Sequence, residues 1–224
     1  MSGAISTRRR RGASPTTVVG LVLLLVGLSI LGWAAWQFFG TNITSRRQAE
    51  QTTAQLQQQW RTADAKTPEF SSADGQPVAL LRIPDLGPDH QWPVLAGTST
   101  DALSQGVGWY ADTAGPGQVG NFAVAGHRVT HGEPFRRLLE LKQGSTVVVE
   151  TRDSVYTYAL DNAPRELTVA DTASWVLDPV PGRPAQKPSR ELITLTTCQD
   201  LFHSPDRSVA FGHLVSKTDK KPAR

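Results

Sequence analysis

Hydrophobic residues follow two different patterns along this chain of 224 residues. From Val18 to Phe39 they form one uncharged run of about 22 residues, which is long enough to cross a bilayer as a helix. From Pro77 onwards they occur in short runs that alternate with polar residues and end at turn-forming residues. Alternation with a period of two is typical of half-buried strands. The pattern therefore predicts an all-β domain with short helices, preceded by one N-terminal transmembrane helix.

The strands of this β domain are predicted from the short runs. They cover residues 78–83, 92–96, 121–128, 146–150, 155–160, 193–198 and 207–215. Residues 101–105 and 170–175 are predicted to be short helices, and the glycines of 106–110 predict an irregular loop. A proline-rich loop at 179–189 precedes the strand that ends at Cys198, and we expect it to form one wall of a site there.

Composition divides the chain into five segments. The first is basic, the third is rich in Gln, Thr, Ala and Ser without a wide apolar face, and the last is polar. We predict a cytoplasmic N-terminus, a transmembrane anchor, an extracytoplasmic stalk, the β domain and a C-terminal tail. These segments span residues 1–16, 17–40, 41–76, 77–216 and 217–224, respectively.

Charge predicts the orientation of the anchor. The net charge is only +3, but Arg8 to Arg11 stand together before the apolar run. By the positive-inside rule these arginines stay in the cytoplasm, so no nucleic-acid partner is needed to explain them. The alternative is a cleavable signal peptide processed near Ala34, yet its apolar region would be only about 7 to 15 residues long. We therefore predict a single-pass protein of the cell membrane with an extracellular β domain.

The only cysteine of the chain, Cys198, ends the apolar and β-branched run that begins at Ile193. A lone cysteine is most often a small buried hydrophobe. Outside the membrane, however, it cannot form an intramolecular disulfide, and a free thiol there is open to oxidation. A thiol that performs chemistry explains its presence better.

Two ionisable residues lie at the ends of other predicted strands. His127 closes one run and carries the side chain best suited to proton transfer near neutral pH. Arg207 begins the strand after Cys198, and a hairpin-like connection would return it to the sulfur, where a cation favours the thiolate. The alternative for Arg207 is a solvated surface charge.

These residues carry a resemblance to a known family. The run TLTTC at Thr194–Cys198, the box AGHR at Ala125–Arg128 and Arg207 nine residues past the cysteine resemble the motifs of sortases, in the same order. LRIP at 81–84 and the segment 120–127 are also similar to sortase patterns. The resemblance covers most of the β domain and is greatest to class E, the actinobacterial housekeeping type. It implies a closed β-barrel of about eight strands.

The sortase resemblance also implies a reaction. Cys198 would attack the threonine carbonyl of a C-terminal LPxTG or LAxTG sorting signal on a surface protein, giving a thioacyl enzyme. His127 would exchange protons with the leaving and incoming amines, and Arg207 would stabilise the oxyanion. The acceptor would be the amine of a peptidoglycan precursor of the lipid II type. No cofactor and no metal are implied, and the sequence has no phosphate-binding loop or clustered metal-ligand spacing.

Four residues are expected at the substrate, namely Tyr110, Thr196, Thr197 and His131. Tyr110 matches a class E tyrosine associated with alanine rather than proline at the second signal position. A phenol can accept a hydrogen bond from the N–H that proline lacks. Trp109 departs from the family, which has a smaller or polar residue there, and the alternative is that both aromatic residues only pack beneath the loop.

The remaining histidines have weaker assignments. His131 lies four residues beyond His127 and is the second candidate for the catalytic histidine. His203 is predicted to modulate the site or to be a bystander, and His90 and His213 are predicted to be surface or sheet residues.

Two other functions remain open at this point. A cysteine protease would use the same nucleophile but hydrolyse the intermediate with water. An inactive barrel would serve at the cell surface as a binding or scaffolding module.

Overall fold

The computed structural model describes residues 14–36, 40–63, 71–198 and 205–220. Within these residues the helices are α1 (Pro15–Ala35), α2 (Thr41–Thr62) and α3 (Thr100–Gln105). The strands are β1 (Pro77–Arg82), β2 (Gln91–Ala96), β3 (Val107–Trp109), β4 (Gly120–Ala125), β5 (Thr146–Glu150), β6 (Ser154–Leu160), β7 (Thr168–Ala170), β8 (Glu191–Cys198) and β9 (Asp206–Asp219).

Helix α1 is the candidate membrane span. Ser14 caps it, because its hydroxyl accepts the N–H of Thr17 at 3.2 Å, and Pro15 follows at the first helical position. Most of its large apolar side chains are exposed. The helix is long and apolar enough to cross a bilayer, as the sequence predicts.

Eight of the described strands close into a barrel. Their order is β6-β5-β1-β2-β3-β4-β8-β9, and β6 pairs with β9 to complete the ring. The pairs β2–β3 and β4–β8 are parallel, whereas the other neighbours are antiparallel. Strand β7 lies outside the ring on the start of β9. The predicted closed barrel of about eight strands is confirmed.

The strands that lead to the predicted catalytic residues run through the core. Phe122 and Val124 of β4 and Ile193 and Leu195 of β8 are fully buried inside the barrel. Burying one such side chain contributes roughly 1.5 to 3 kcal/mol. This packing fixes the strand register, because a slip by one residue would turn every apolar side chain to the opposite face.

The prediction of an irregular loop at residues 106–110 was wrong, because this segment contains a strand. Val107–Trp109 forms β3, which pairs with β2 on one side and β4 on the other. Glycine serves close packing here, since a Cβ on Gly106 would lie 2.4 Å from the carbonyl oxygen of Pro93. The glycines therefore allow two backbones to approach closely instead of keeping the segment irregular.

The prediction of a short helix at residues 170–175 was also wrong. Ala170 ends β7, and a 3₁₀ turn covers Ser174–Leu177. Pairing with β9 outweighs the local helical pattern. Strand β9 also continues to Asp219, so part of the segment predicted as a tail, 217–224, belongs to the barrel.

The segment predicted as a stalk contains α2, which packs against the barrel. Ala49 and Leu56, seven residues apart on one helix face, are buried. The guanidinium of Arg46 lies 5.5 Å from the centre of the Trp92 ring in β2, a cation–π contact. The helix that follows the candidate membrane span is thus docked on the β domain.

Candidate active site

Strands β8 and β9 bring Cys198 and Arg207 together. The strands are antiparallel neighbours, and Cys198 is paired directly with Arg207 at the end of their ladder. Paired residues occupy the same face of a sheet. The predicted return of the arginine to the cysteine is therefore confirmed at the level of the backbone. The connection between them, including His203, lies outside the described residues.

The parallel pair β4–β8 brings His127 to the same end of the barrel. Their register ends with Ala125 opposite Thr196. The Gly126 N–H continues it by donating to the Thr196 carbonyl at 3.1 Å. His127 and Cys198 each lie two residues beyond the last pair, so they are level with one another. The three predicted catalytic residues thus stand at one end of three neighbouring strands.

His127 is partly buried, which keeps its ring neutral. Its Nε2 atom is buried and has no hydrogen-bond partner among the described residues. Burial, with a smaller contribution from the nearby His131, lowers the pKa of His127 to about 4. A neutral imidazole can accept a proton from a thiol, and the thiolate so formed would in turn stabilise the imidazolium.

His131 lies directly beside His127. The two rings stack with their centres 4.8 Å apart and their planes at 29°. The Nδ1 atom of His131 is 3.0 Å from the hydroxyl of Thr130, and partial burial lowers the pKa of His131. The structure thus places His131 against the predicted catalytic histidine rather than along the cavity described next.

A cavity of about 230 Å³ adjoins the arginine, and we call it the Arg207 cavity. Tyr110, Thr196 and Arg207 line it together with Val209 and the segment 169–177. The Arg207 side chain is partly exposed, with Asp171 at 4.0 Å. Two of the four predicted substrate contacts, Tyr110 and Thr196, therefore share this cavity with the arginine.

Thr196 and Thr197 point to opposite faces of β8, as successive strand residues do. The Thr196 hydroxyl donates to the Val124 carbonyl at 3.2 Å at the edge of the Arg207 cavity. Thr197 is only 2% exposed, and its hydroxyl donates to the Gly126 carbonyl at 2.9 Å. Thr197 does not line the Arg207 cavity, and its contact with the substrate stays a prediction. Its hydroxyl ties β8 to the residue before His127.

Comparison with known proteins decides the family. Residues 81–215, more than half of the chain, match the Sortase domain family. The chain belongs to the sortase family. Sortases are cysteine transpeptidases, which agrees with a cysteine, a histidine and an arginine at one end of the barrel.

Several of the proteins similar to this chain are class E sortases. The chain is 36% identical over 225 residues to Sortase SrtE1 of Streptomyces coelicolor, covering 96% of this chain but 62% of that relative. It resembles the structure of sortase E from Streptomyces avermitilis at 38% identity and a TM-score of 0.59, over 68% of this chain and 99% of the other. A crystal structure of Sortase E1 from Streptomyces coelicolor with a tripeptide in its active site is 37% identical, with a TM-score of 0.57, over 66% and 96% of the two chains.

One buried residue that shapes this sortase's site has no role in the predictions made from the sequence. Asn121 of β4 is 1% exposed and donates to the carbonyls of Val176 and Asp178 at 3.0 and 3.1 Å. Its amide oxygen accepts the hydroxyl of Thr194 at 2.7 Å. Asn121 therefore fixes a wall of the Arg207 cavity to the core. The available signal was a polar residue at a buried position of an apolar strand.

Trp109, the last residue of β3, and Tyr110, which follows it, have different surroundings. Trp109 is buried in the core, and its Nε1 donates to Thr113 Oγ1 and the Ala114 carbonyl, both at 3.1 Å. Trp109 therefore packs beneath the loop, as the alternative had it. Tyr110 lines both the Arg207 cavity and a neighbouring cavity of about 370 Å³ that Pro179 also lines. Pro179 is the first residue of the proline-rich loop, and the expectation that this loop forms a wall of the cysteine site stays a prediction.

The other described histidines have structural contacts. His90 accepts the N–H of Ile83 at 3.1 Å through Nδ1, and its Nε2 donates to the Pro134 carbonyl at 2.9 Å. Burial lowers the pKa of His90, which suits this neutral tautomer. His213 lies 2.7 Å from the Asp161 carboxylate. In the described part of the chain, no group of three or more His, Cys, Asp and Glu residues is arranged to hold a metal.

Proposed function

We propose that this sortase is a membrane-anchored transpeptidase that cuts a C-terminal LAxTG or LPxTG sorting signal after threonine. It would join the surface protein to the amine of a peptidoglycan precursor of the lipid II type. The observation that carries the proposal is the alignment of His127, Cys198 and Arg207 at one end of β4, β8 and β9, beside the Arg207 cavity. The substrate peptide lies extended in this cavity.

The first half of the reaction forms the thioacyl enzyme. The thiol of Cys198 gives its proton to the neutral His127, and the sulfur attacks the threonine carbonyl carbon. Arg207 stabilises the oxyanion of the tetrahedral intermediate, and it cannot serve as a base because it stays protonated. The C–N bond then breaks, and the imidazolium of His127 protonates the departing glycine amine.

The second half transfers the acyl group to the acceptor. The incoming amine attacks the thioester carbonyl and loses a proton to His127. The C–S bond breaks, the sulfur regains its proton, and an amide joins the surface protein to the wall precursor.

The anchor supports a location at the outer face of the membrane. Helix α1 follows the four arginines, so the N-terminus stays inside and the barrel lies outside. A reporter fused after Arg224 should be accessible to protease in intact cells and remain in the membrane fraction. Release of a shortened soluble chain would instead establish signal-peptide cleavage.

The test of the proposed activity uses the full chain in lipid nanodiscs with LAxTG and LPxTG peptides, with and without an amine acceptor. The expected result is cleavage between threonine and glycine, with the acceptor found on the threonine carboxyl group. Cys198→Ala is the matched control and should be inactive. A main product that ends in a free threonine carboxylate, despite abundant acceptor, would identify a protease. The absence of cleavage of any peptide would favour a scaffold.

A further inference from the structure

Helix α2 contacts the loop that carries the proposed catalytic histidine, residues 126–137, which we call the His127 loop. The Asn42 side chain uses both ends of its amide. Its Nδ2 donates to Glu133 Oε1 at 2.8 Å, and its Oδ1 accepts the N–H of Gly132 at 3.0 Å. Opposite roles at the two ends fix the orientation of the amide. One residue just after the anchor thus clamps two consecutive residues about ninety positions away in the chain.

The clamped stretch has an unfavourable backbone. His131, Gly132 and Glu133 have φ values of 54°, 79° and 57°, all in the left-handed region. Glycine tolerates this region, but for other residues it is maintained only where surrounding contacts enforce it. Consecutive left-handed residues therefore need support from outside the loop.

Close packing supports part of this stretch, because Gly132 is buried and a Cβ on it would lie 2.7 Å from the Trp92 ring and 3.5 Å from the backbone nitrogen of Arg46 in α2. A cavity of about 430 Å³ opens between α2 and the His127 loop, and Asn42, Gly132 and Glu133 are among the residues that line it. Two further contacts border the cavity, namely Arg46 over Trp92 and the hydrogen bond from His90 to the Pro134 carbonyl. The hydrogen bonds of Asn42 add a direct polar link between α2 and the left-handed stretch.

The clamp acts one residue away from the histidine pair. His131 precedes Gly132 and stacks on His127 at 4.8 Å. The loop returns to His127 as well, because the N–H of Phe135 donates to the His127 carbonyl at 3.0 Å. A change in the backbone at 131–133 therefore reaches the backbone of His127 through Phe135, whether or not the His131 ring is present.

We propose that Asn42 is a positioning residue, through which the helix next to the membrane anchor holds the His127 loop and thereby sets the orientation of the catalytic histidine. This inference rests on the proposed role of His127. In this proposal α2 positions the catalytic histidine and is more than a spacer. The side-chain amide of Asn42 thus connects the helix that follows the anchor to the loop of the catalytic histidine.

The test compares Asn42→Ala with Gln51→Ala in the full chain in nanodiscs. Gln51 is the matched control, because it also carries a carboxamide on α2 but is exposed to solvent. Asn42→Ala should lower kcat for sorting-peptide cleavage about tenfold, as expected for lost hydrogen bonds to a positioning loop. The KM should change less than about twofold, because the Arg207 cavity is untouched. Gln51→Ala should behave as wild type.

A rescue separates positioning from a general loss of structure. Asn42→Asp alone keeps the acceptor for Gly132 but faces the Glu133 carboxylate, so kcat should fall. Adding Glu133→Gln lets the new glutamine donate to the new aspartate, which restores both hydrogen bonds. The double variant should regain most of the lost kcat. A double variant no better than Asn42→Asp would overturn the inference.

A readout independent of activity keeps the two proposals distinguishable. Hydrogen–deuterium exchange of the peptide that contains Gly132 should become at least about tenfold faster in Asn42→Ala and stay unchanged in Gln51→Ala. Unchanged exchange and unchanged kcat in Asn42→Ala would refute the clamp while the proposed function stood. An inactive wild type whose Gly132 exchange still depends on Asn42 would refute the function and leave the clamp supported.

Discussion

Cys198 and Arg207 lie on paired strands, whereas His127 lies on a loop just past the end of its strand. The first two are joined by a continuous β8–β9 ladder that the packed core holds in register. The His127 loop contains left-handed residues and receives hydrogen bonds from α2 and from His90. The proposed nucleophile and the proposed oxyanion-stabilising cation are therefore fixed by barrel register, while the proposed acid–base group depends on contacts with the rest of the chain.

This difference predicts that the two histidines of the loop respond unequally to mutation. His127→Ala should abolish peptide cleavage, with a loss of more than about a thousandfold, because it removes the proton-transfer group. His131→Ala should retain most of the activity, since its ring only packs on His127. Initial rates with a sorting peptide measure both. Equal losses at the two positions would reverse or merge their roles.

The strand side of the site can be tested by changing chemistry without moving backbone. Arg207→Lys keeps the charge but loses the planar guanidinium with several donors, so kcat/KM should fall about a hundredfold. The comparison is with Arg165→Lys, a surface arginine of a 3₁₀ turn, which should be neutral. Activity near the wild-type level in Arg207→Lys would reduce this residue to a general electrostatic role.

The pH dependence of the free energy of unfolding tests the environment of His127 in its loop. Burial lowers the pKa of His127 to about 4 from an ordinary value near 6.5. The unfolded chain therefore binds a proton at this residue between those pH values and the folded chain does not. This contribution to stability is complete above about pH 6.5 and is lost as the pH falls towards 4.

Between pH 7 and pH 4.5, the free energy of unfolding should consequently decrease by about 2 kcal/mol less in His127→Gln than in the wild type. Guanidinium unfolding of the detergent-solubilised chain at several pH values measures it. His90 and His131, whose pKa values burial also lowers, act in the same direction and leave a residual slope. An identical slope in wild type and His127→Gln would contradict the buried, neutral histidine.

The smallest expected effect concerns substrate choice in the strand-built half of the site. Tyr110 lines the Arg207 cavity, and its phenol can accept a hydrogen bond from an alanine N–H that proline lacks. Tyr110→Phe should reduce the preference for LAxTG over LPxTG by about three- to tenfold, the value of one net hydrogen bond. Competition between the two peptides gives the ratio of kcat/KM values, and an unchanged ratio would remove the hydroxyl from the account of specificity.

The sequence predicts the parts of the site that depend on strand order and periodicity. Alternating runs identify β8 and β9, and their antiparallel return places Arg207 opposite Cys198. Barrel closure and class came from the family resemblance, because no local pattern reports that β6 pairs with β9. Strand β3 was missed because its glycines, which permit tight packing, have the same local signature as a loop.

Other parts depend on contacts between distant residues that no short pattern encodes. The hydrogen bonds from the Gly132 N–H to Asn42 and from Asn121 to the 176–178 wall join segments far apart in the chain. Thr196 and Thr197 belong to one motif, yet only the strand face separates a cavity residue from a structural one. The composition of α2 indicated a spacer, since docking rests on few buried residues.

The most direct test of the account is to capture the covalent intermediate. The full chain is mixed with an LAxTG peptide without an amine acceptor, quenched with acid within seconds, and analysed by intact and peptide mass spectrometry. The account predicts an added mass equal to the peptide acyl fragment ending in threonine, located on the segment that contains Cys198, and absent in Cys198→Ala. Cleavage of the peptide without any acylated Cys198, or acylation elsewhere in the chain, would contradict it.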